Sequence, residues 1–554
     1  MFEKPLRNGS QTSCARCGPL VILAALASCA VIVRAAVYEV GEGQPYASIG
    51  SVPWESLSAG DLVLIHWQPT PYREKWVIGR TGTAQSPITI RGVLGPAGQR
   101  PVVDGQNATT RLALDYWNEE RSVIKIGGSS IPPDVLPRYI VVENLDVRGA
   151  RPPNSFTDDG GVVRTYSMNA AAIHVGRGEH VTIRNCILRD CGNGLFVTST
   201  DGEAARDIVI EGNYFHGNGN SGSLFEHNTY TAAIDIVYQF NRFGPLLAGA
   251  NGNNLKDRSA GLVVRYNWIE GGNRQLDLVD GEDSILIRND PGYDETHVYG
   301  NVLMEPAGAG NKQITHYGGD SGATVNYRNG TLFFFQNTVV STRTDGTTLF
   351  RLSTNDNGCD ARNNLFYVTT AGTGLAMLDA DGVLDLSHNW MKPGWRDTFG
   401  TLTGTINDDG TSVETSAPGF ANEAAQVFEP APASACVDEG GSLAPPVLPD
   451  HSVDSEYVKH QAGRARVGTG TLTGNGTSTD IGAFECRNPL DFDCDGDVDL
   501  DDYGVWEACL GAPQSPPAPA APLQSVQCTA IFDDDTDGDV DLMDFLALQV
   551  AFTG

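Results

Sequence analysis

Positive charge is what this chain has least of: 37 Lys and Arg stand against 68 Asp and Glu, a formal net charge of −31. So acidic a surface repels phosphate backbones and anionic lipid, which excludes nucleic acid and anionic membranes as partners. Long apolar runs are scarce too. Past Val33 none reaches the ~18 residues a membrane span requires, so no transmembrane span is expected. Charged residues of both signs make up only 19%. Glycine is plentiful, at 64 residues, and a glycine-rich, lightly charged chain suits a turn-dense β-solenoid. A length of 554 residues leaves room for one large core and an appendage.

The core is written as a repeat. The run Leu262–Ile269 (LVVRYNWI) is short, β-rich and carries an Asn near its end, and the same grammar recurs around Asn144, Asn185, Asn213, Asn241, Asn301, Asn337, Asn364 and Asn389. With Asn267 included, successive gaps are 41, 28, 28, 26, 34, 36, 27 and 25 residues. A period in the twenties with occasional insertions marks a solenoid in which each repeat is one coil. The runs are too short for helices and rich in Val, Ile, Phe and Tyr. Alternation along a strand sends Val263 and the residues two along into a central stack. Asn at each bend is expected to take left-handed geometry and to bond its neighbours through its amide, coil after coil. This pattern resembles the right-handed parallel β-helix proteins of the pectate-lyase type, over residues 37–486. Val37–Gly105 reads as the entry, 106–138 as an irregular insertion, Tyr139–Trp390 as the repeated body, and Asp385–Val467 as more loop-like. Tyr457–Glu485 closes with DIGAFE.

Residues 1–35 read as a signal peptide. Lys4, Arg7 and Arg16 precede the apolar run Leu20–Val33, and Val33-Arg34-Ala35 offers a cleavage site before Ala36. The chain is therefore expected to be secreted or displayed at the cell surface. The alternative is a lipobox-like Leu26-Ala27-Ser28 ahead of Cys29, which would make it a lipoprotein. Export permits disulfides, whose connectivity spacing alone does not give; Cys509–Cys528 is the pairing put forward.

Beyond Cys486 the composition changes: residues 487–554 carry 15 acidic residues and a single Arg. Asp491, Asp493, Asp495, Asp499 and Asp502 stand at positions 1, 3, 5, 9 and 12 of a loop with Gly496 at 6 and Asp497 at 7, the oxygen spacing of a calcium loop. The pattern returns as Asp533, Asp535, Asp537, Asp539, Asp541 and Asp544 around Gly538. Each copy leads into a helix-like run, Tyr503–Leu510 and Phe545–Ala551. Paired loops of this kind resemble a dockerin type I module, a small α-helical domain that implies two calcium ions and a cohesin-like domain or cell-surface component as partner.

Chemistry is expected on the outside of the solenoid. Polyuronate lyases need a base for the proton α to the carboxylate, charge to neutralise that carboxylate, and an acid for the leaving oxygen. Lys256 and Arg258 precede one strand; Glu226, His227 and Tyr230 lie a coil earlier; Arg274 and Asp277 lie a coil later, with Asp277 pointing away from Leu276 and Leu278; His316 and Asp320 follow. The order LKDRS, RYNW, LDLVDG resembles the alginate lyase and chondroitinase B family. That resemblance makes Lys256 the base, adds a possible groove calcium, and names an acidic polysaccharide as substrate. Val279 stands where that family has an Arg, so Arg258 or Arg274 would substitute. Two other readings compete: a glycoside hydrolase using Asp277 and Asp280, and a non-catalytic glycan binder with Trp268 and Tyr230 as platforms. The non-catalytic alternative for Arg258 and Asp277 is a plain ion pair across coils.

Overall fold

The computed structural model describes residues 35–466, 479–494, 497–520 and 523–553. The signal-like segment with Cys29, and Asp495 of the first acidic loop, lie outside these residues.

Three long sheets of 13, 11 and 13 strands wrap the body, each strand pairing with one from the next coil in parallel, apart from one antiparallel edge pair. The first sheet runs from Val37–Val40 to Thr405–Asp408 and the second from Val102–Asp104 to Val413–Glu414. The third carries the strands Ser122–Ile126, Ala171–Val175 and their successors to Leu375–Leu378. This is a parallel β-helix. In-register columns fill its interior: Val181, Ile208, Ile236 and Leu262 stack strand on strand, all buried in one continuous core. Each such side chain contributes about 1.5–3 kcal/mol by leaving water. Val263 points the other way, packing against an outer cluster that includes Tyr266, Tyr299 and Phe333, while Leu262 and Val264 face in. The expected phase of that strand is thus off by one.

The bend is held by an amide ladder. Asn213, Asn241, Asn267, Asn301, Asn337, Asn364 and Asn389 are buried, and each but the last donates its backbone N–H to the next side-chain oxygen at 2.9–3.0 Å. The side-chain N–H groups repeat the link and also reach a strand carbonyl one coil back, as Asn241 Nδ2 does to Ile210 O at 2.8 Å. Left-handed geometry falls one residue earlier than expected, on Gly212, Phe240, Tyr266, Gly300, Gln336, Asn363 and His388. Asn144 and Asn185 occupy that left-handed position themselves, with φ of 60° and 53°. Their coils put Leu145 and Cys186 in the ladder slot, and Cys186 N–H caps the ladder on Asn213 Oδ1 at 2.9 Å.

The body is longer than the Asn pattern shows. Strands Val37–Val40, Leu62–His66 and Ile88–Val93 precede it, and Thr405–Asp408 and Val413–Glu414 follow. The segment 106–138 contains a full rung, Ser122–Ile126, with Ile124 paired to Ile173. Residues beyond 414 then fold back over the second sheet: Phe428 stacks on Trp268 at 5.6 Å, with Tyr457 beside it. Trp268 is buried there, which removes it as a sugar platform.

The C-terminal segment has helices Leu500–Cys509, Ser525–Phe532 and Asp544–Ala551 around its own apolar cluster, including Phe492, Trp506, Phe532 and Leu548. The middle helix has no counterpart in the sequence reading. Disulfides join Cys509 to Cys528, as put forward, and Cys486 to Cys494. Among the described residues no helix is long and apolar enough to cross a membrane.

Candidate active site

Successive strands of the third sheet, Thr229–Thr231, Leu255–Asp257, Leu276–Leu278, Gln313–Tyr317 and Thr347–Leu352, send Leu255, Leu276 and Phe350 into the core. Alternation turns their neighbours outward. Pairing puts Tyr230, Lys256, Asp277, His316 and Arg351 opposite one another in one column, at strand spacings of ~4.8 Å. Coils lengthened to 34 and 36 residues hid this register in the sequence, because the extra residues loop out without disturbing the rungs.

The column lines a groove of about 940 Å³. Met168 and Asn169, Leu224 and Phe225, and Gly319–Gly322 with Tyr327 form its walls, and Phe225 at the rim is 77% exposed. Upstream the same column continues through Phe196, His174 and Lys125, all buried, with Arg121 over the Phe196 ring and the Trp117 carbonyl on Lys125. Downstream, Phe350 pairs with Leu378, so half-buried Asp379 follows Arg351 in the column. The column is covered at its upstream end.

Inside, the charges are tightly coupled. Lys256 Nζ lies 2.8 Å from Asp277 Oδ2 and also bonds Asp320. Asp277 further accepts from Asn253 Nδ2 at 2.8 Å, contacts His316 Nδ1 at 2.8 Å, and has Arg274 Nη1 at 3.6 Å. Burial pushes its carboxyl up, but Lys256, His316 and Arg274 outweigh this and hold it well below the usual carboxylate range. Burial likewise disfavours the Lys256 ammonium, yet Asp277 and Asp320 prevail and raise its pKa above the ordinary lysine value. Lys256 is therefore a firmly protonated cation in this arrangement.

Arg258 does not pair with Asp277. Its Nη2 meets Asp320 Oδ1 at 2.9 Å and Glu282 Oε1 at 2.8 Å, its Nη1 donates to Asp280 O at 2.6 Å, and its Nε donates to Tyr230 Oη at 2.8 Å. Arg274 forks onto Gln313 Oε1 at 3.0 and 2.7 Å. His316 is engaged on both nitrogens, Nδ1 with Asp277 and Nε2 with Ser353 Oγ at 2.9 Å. His227 precedes its strand, and its Nδ1 accepts from Asn253 N–H at 2.9 Å. Burial, and then Lys256, push its pKa down to about 3, so it is a neutral imidazole with its proton on Nε2.

Asp280 is 0% exposed and its Oδ1 accepts from the backbone of Asp320 and Ser321, at 2.8 and 3.3 Å. It shapes the 318–322 turn. With Asp277 committed to its own partners, the two do not form a hydrolytic carboxylate pair. Val279 is buried, so no Arg fills the family's position. Sequence reasoning did not foresee Glu282, Asn253 and Arg351 in the groove, and only the coil register places them there. Glu226 is 4% exposed, lines the groove, and has Oε2 without a hydrogen-bond partner.

A groove calcium ion was a further expectation. Among the described residues the groove-lining oxygens that are buried without partners are Glu226 Oε2 and Asn253 Oδ1, against the six to eight that calcium takes. The residues there do not fit the ion. The C-terminal loops fit better. Asp491, Asp493 and Asp502 gather one oxygen each within 4.8 Å, as do Asp533, Asp535 and Asp537, and Asp539, Asp541 and Asp544. All are hard carboxylate donors, and Gly538 has the positive φ, 94°, that a sharp turn at position 6 needs. The two loops match in detail. Asp502 accepts from Phe492 and Asp499 N–H, and Asp544 from Asp534 and Asp541 N–H, each pair at loop positions 2 and 9.

No protein-family model and no curated protein matches the chain. Solved structures do. Pectate lyase Pel9A aligns at a TM-score of 0.44 and 10% identity, over 82% of this chain and 96% of its own. An alginate lyase from Paenibacillus sp. str. FPU-7 aligns at 0.38 and 14%, over 63% and 93%. A GH136 lacto-N-biosidase from Eubacterium ramulus aligns at 0.38 and 11%, over 69% and 68%. Lyases and a glycosidase thus stand together, and likeness this low transfers no site.

Proposed function

We propose that the chain is an exported enzyme that degrades a uronate-containing polysaccharide by β-elimination in the groove of the third sheet. The observation that carries this reading is the outward column Tyr230–Lys256–Asp277–His316, with Arg258 beside it, which gathers cations and proton-carrying groups from four coils. Lys256, Arg258 and Arg274 neutralise the substrate carboxylate and so make the proton α to it removable. In a chain of net charge −31 the groove lining is evenly balanced, these three and Arg351 standing against Glu226, Asp277, Glu282 and Asp320. Two carboxylates keep Lys256 protonated, so its role here is charge neutralisation, and the base role implied by resemblance passes to another groove residue. Tyr230 Oη accepts from Arg258 and keeps its own proton for the leaving oxygen. His227 presents Nε2–H to a substrate oxygen, while Asp277 and His316 fix Lys256 in place.

The C-terminal module is read as a dockerin-like unit in which Asp491, Asp493, Asp497, Asp499 and Asp502 of the first loop, and Asp533, Asp535, Asp537, Asp539, Asp541 and Asp544 of the second, hold two calcium ions. Leu500, Leu546 and Val550 are exposed on its helices, an apolar face suited to a cohesin-like or cell-surface partner.

The test of the enzymatic reading is a Lys256→Ala variant assayed on uronate glycans for unsaturated product. The variant should keep its circular dichroism spectrum and lose the product. Activity near wild type would remove Lys256 from the mechanism.

A further inference from the structure

Elimination needs an acceptor for the α-proton, and nearly every acceptor in the groove is already taken. Asp277 has four partners, Asp320 is shared by Lys256 and Arg258, and Glu282 is paired with Arg258. His316 is bonded at both nitrogens, and the free lone pair of His227 is filled by Asn253 N–H. Glu226 is different. It is one residue from His227, lines the groove, and is 4% exposed, and among the described residues neither a hydrogen bond nor an ion pair reaches its carboxylate. A buried acceptor without a donor is unfavourable, a strain that a protein retains where a ligand or a proton is to be received.

We infer that Glu226 is the proton acceptor of the reaction. The inference rests on the groove acting on a uronate chain. Glu226 takes the proton from the carbon α to the carboxylate. The C–H electron pair becomes the new C=C bond, and the bond from the β-carbon to the glycosidic oxygen breaks. That oxygen leaves with the proton of Tyr230, and solvent returns the proton from Glu226 to Tyr230, so the enzyme ends as it began. The cations of the groove hold the carboxylate as charge builds on it.

The experiment uses the full chain with Glu226→Ala and Glu226→Gln, assayed with and without added formate. Both variants should lose at least ~100-fold in kcat with little change in KM, the scale of one proton-transfer group. Formate should restore activity to Glu226→Ala, whose vacated space admits it, and not to Glu226→Gln. A merely structural Glu226 would give no formate rescue. A Glu226→Gln variant within a few fold of wild type, or loss without rescue, overturns the assignment. Failure of the functional reading looks different: wild type then yields reducing ends without unsaturated product, and the rescue still judges whether Glu226 moves the proton. Wild type yielding neither product overturns both.

Discussion

Lys256 and Asp277 face each other on adjacent coils in strict register, with Nζ 2.8 Å from Oδ2 and both side chains buried, at 7% and 2% exposure. The pair is the joint between scaffold and chemistry. Removing one partner leaves an uncompensated buried charge, which costs about 3–5 kcal/mol. Asp277→Ala should therefore destabilise the protein by roughly that amount as well as abolish activity. Urea unfolding followed by circular dichroism measures it, and a loss below about 1 kcal/mol would show that Lys256 finds equal compensation in Asp320 alone.

The amide ladder makes a second claim about stability. Asn267→Ala strands the N–H of Asn241 and the carbonyl of Tyr238, and Asn301 Oδ1 loses one of its donors. With about 1–3 kcal/mol for each buried group left unpaired, the expected cost is several kcal/mol, read as a lower urea midpoint. A neutral substitution would mean that the ladder is incidental to the turn.

His297 stacks against Phe333 at 5.2 Å and His451 at 3.7 Å, and burial, then His451, push its pKa down to about 3. The unfolded chain protonates this ring near 6.5. Its folded pKa is depressed, so its contribution is complete above pH 6.5 and is lost as pH falls toward 3. His297→Phe keeps the stack and removes the titration. The stability of the variant relative to wild type should rise on acidification by up to ~1.4 kcal/mol per pH unit below 6.5. A difference unchanged between pH 7.5 and 4.5, in paired unfolding curves, would contradict the buried neutral ring (about two units of leverage on this scale).

The outward column is covered at its upstream end by Arg121 over Phe196, so the groove is closed there. The stretch from Tyr230 to Arg351 beyond that cover spans five strands, or about 19 Å at ~4.8 Å per strand. Such a recess admits a chain end. Chromatography of early products should show one small species and not a ladder of intermediate sizes, and a chain blocked at its ends should resist cleavage.

For the C-terminal loops, titration of the full chain with calcium should report two ions, with chelation lowering the thermal transition of that module. No heat of binding and an unchanged transition would leave the acidic loops as a solvated surface.

The fold was legible because its rule is local. Short β-branched runs punctuated by Asn declare a coil, and the disulfide between Cys509 and Cys528 and the doubled acidic loops are short-range too. The phase was harder. Val263 faces outward because the left-handed residue falls at Tyr266, ahead of Asn267, and no propensity separates those two slots. In the site, Lys256, Arg258, Asp277, His227, Tyr230, Arg274 and His316 do meet in one groove. Their partners did not follow from the sequence. Arg258 turns to Asp320 and Glu282 because the 318–322 loop is pinned on Asp280, a contact between residues 40 positions apart.

The most direct measurement is ultraviolet absorbance during incubation of the purified wild-type chain with a panel of uronate polysaccharides. The account predicts steady growth of the absorbance of a carbon–carbon double bond conjugated to a carboxylate, on at least one of them. New reducing ends without that absorbance on every substrate cleaved, or no cleavage of any, would contradict it.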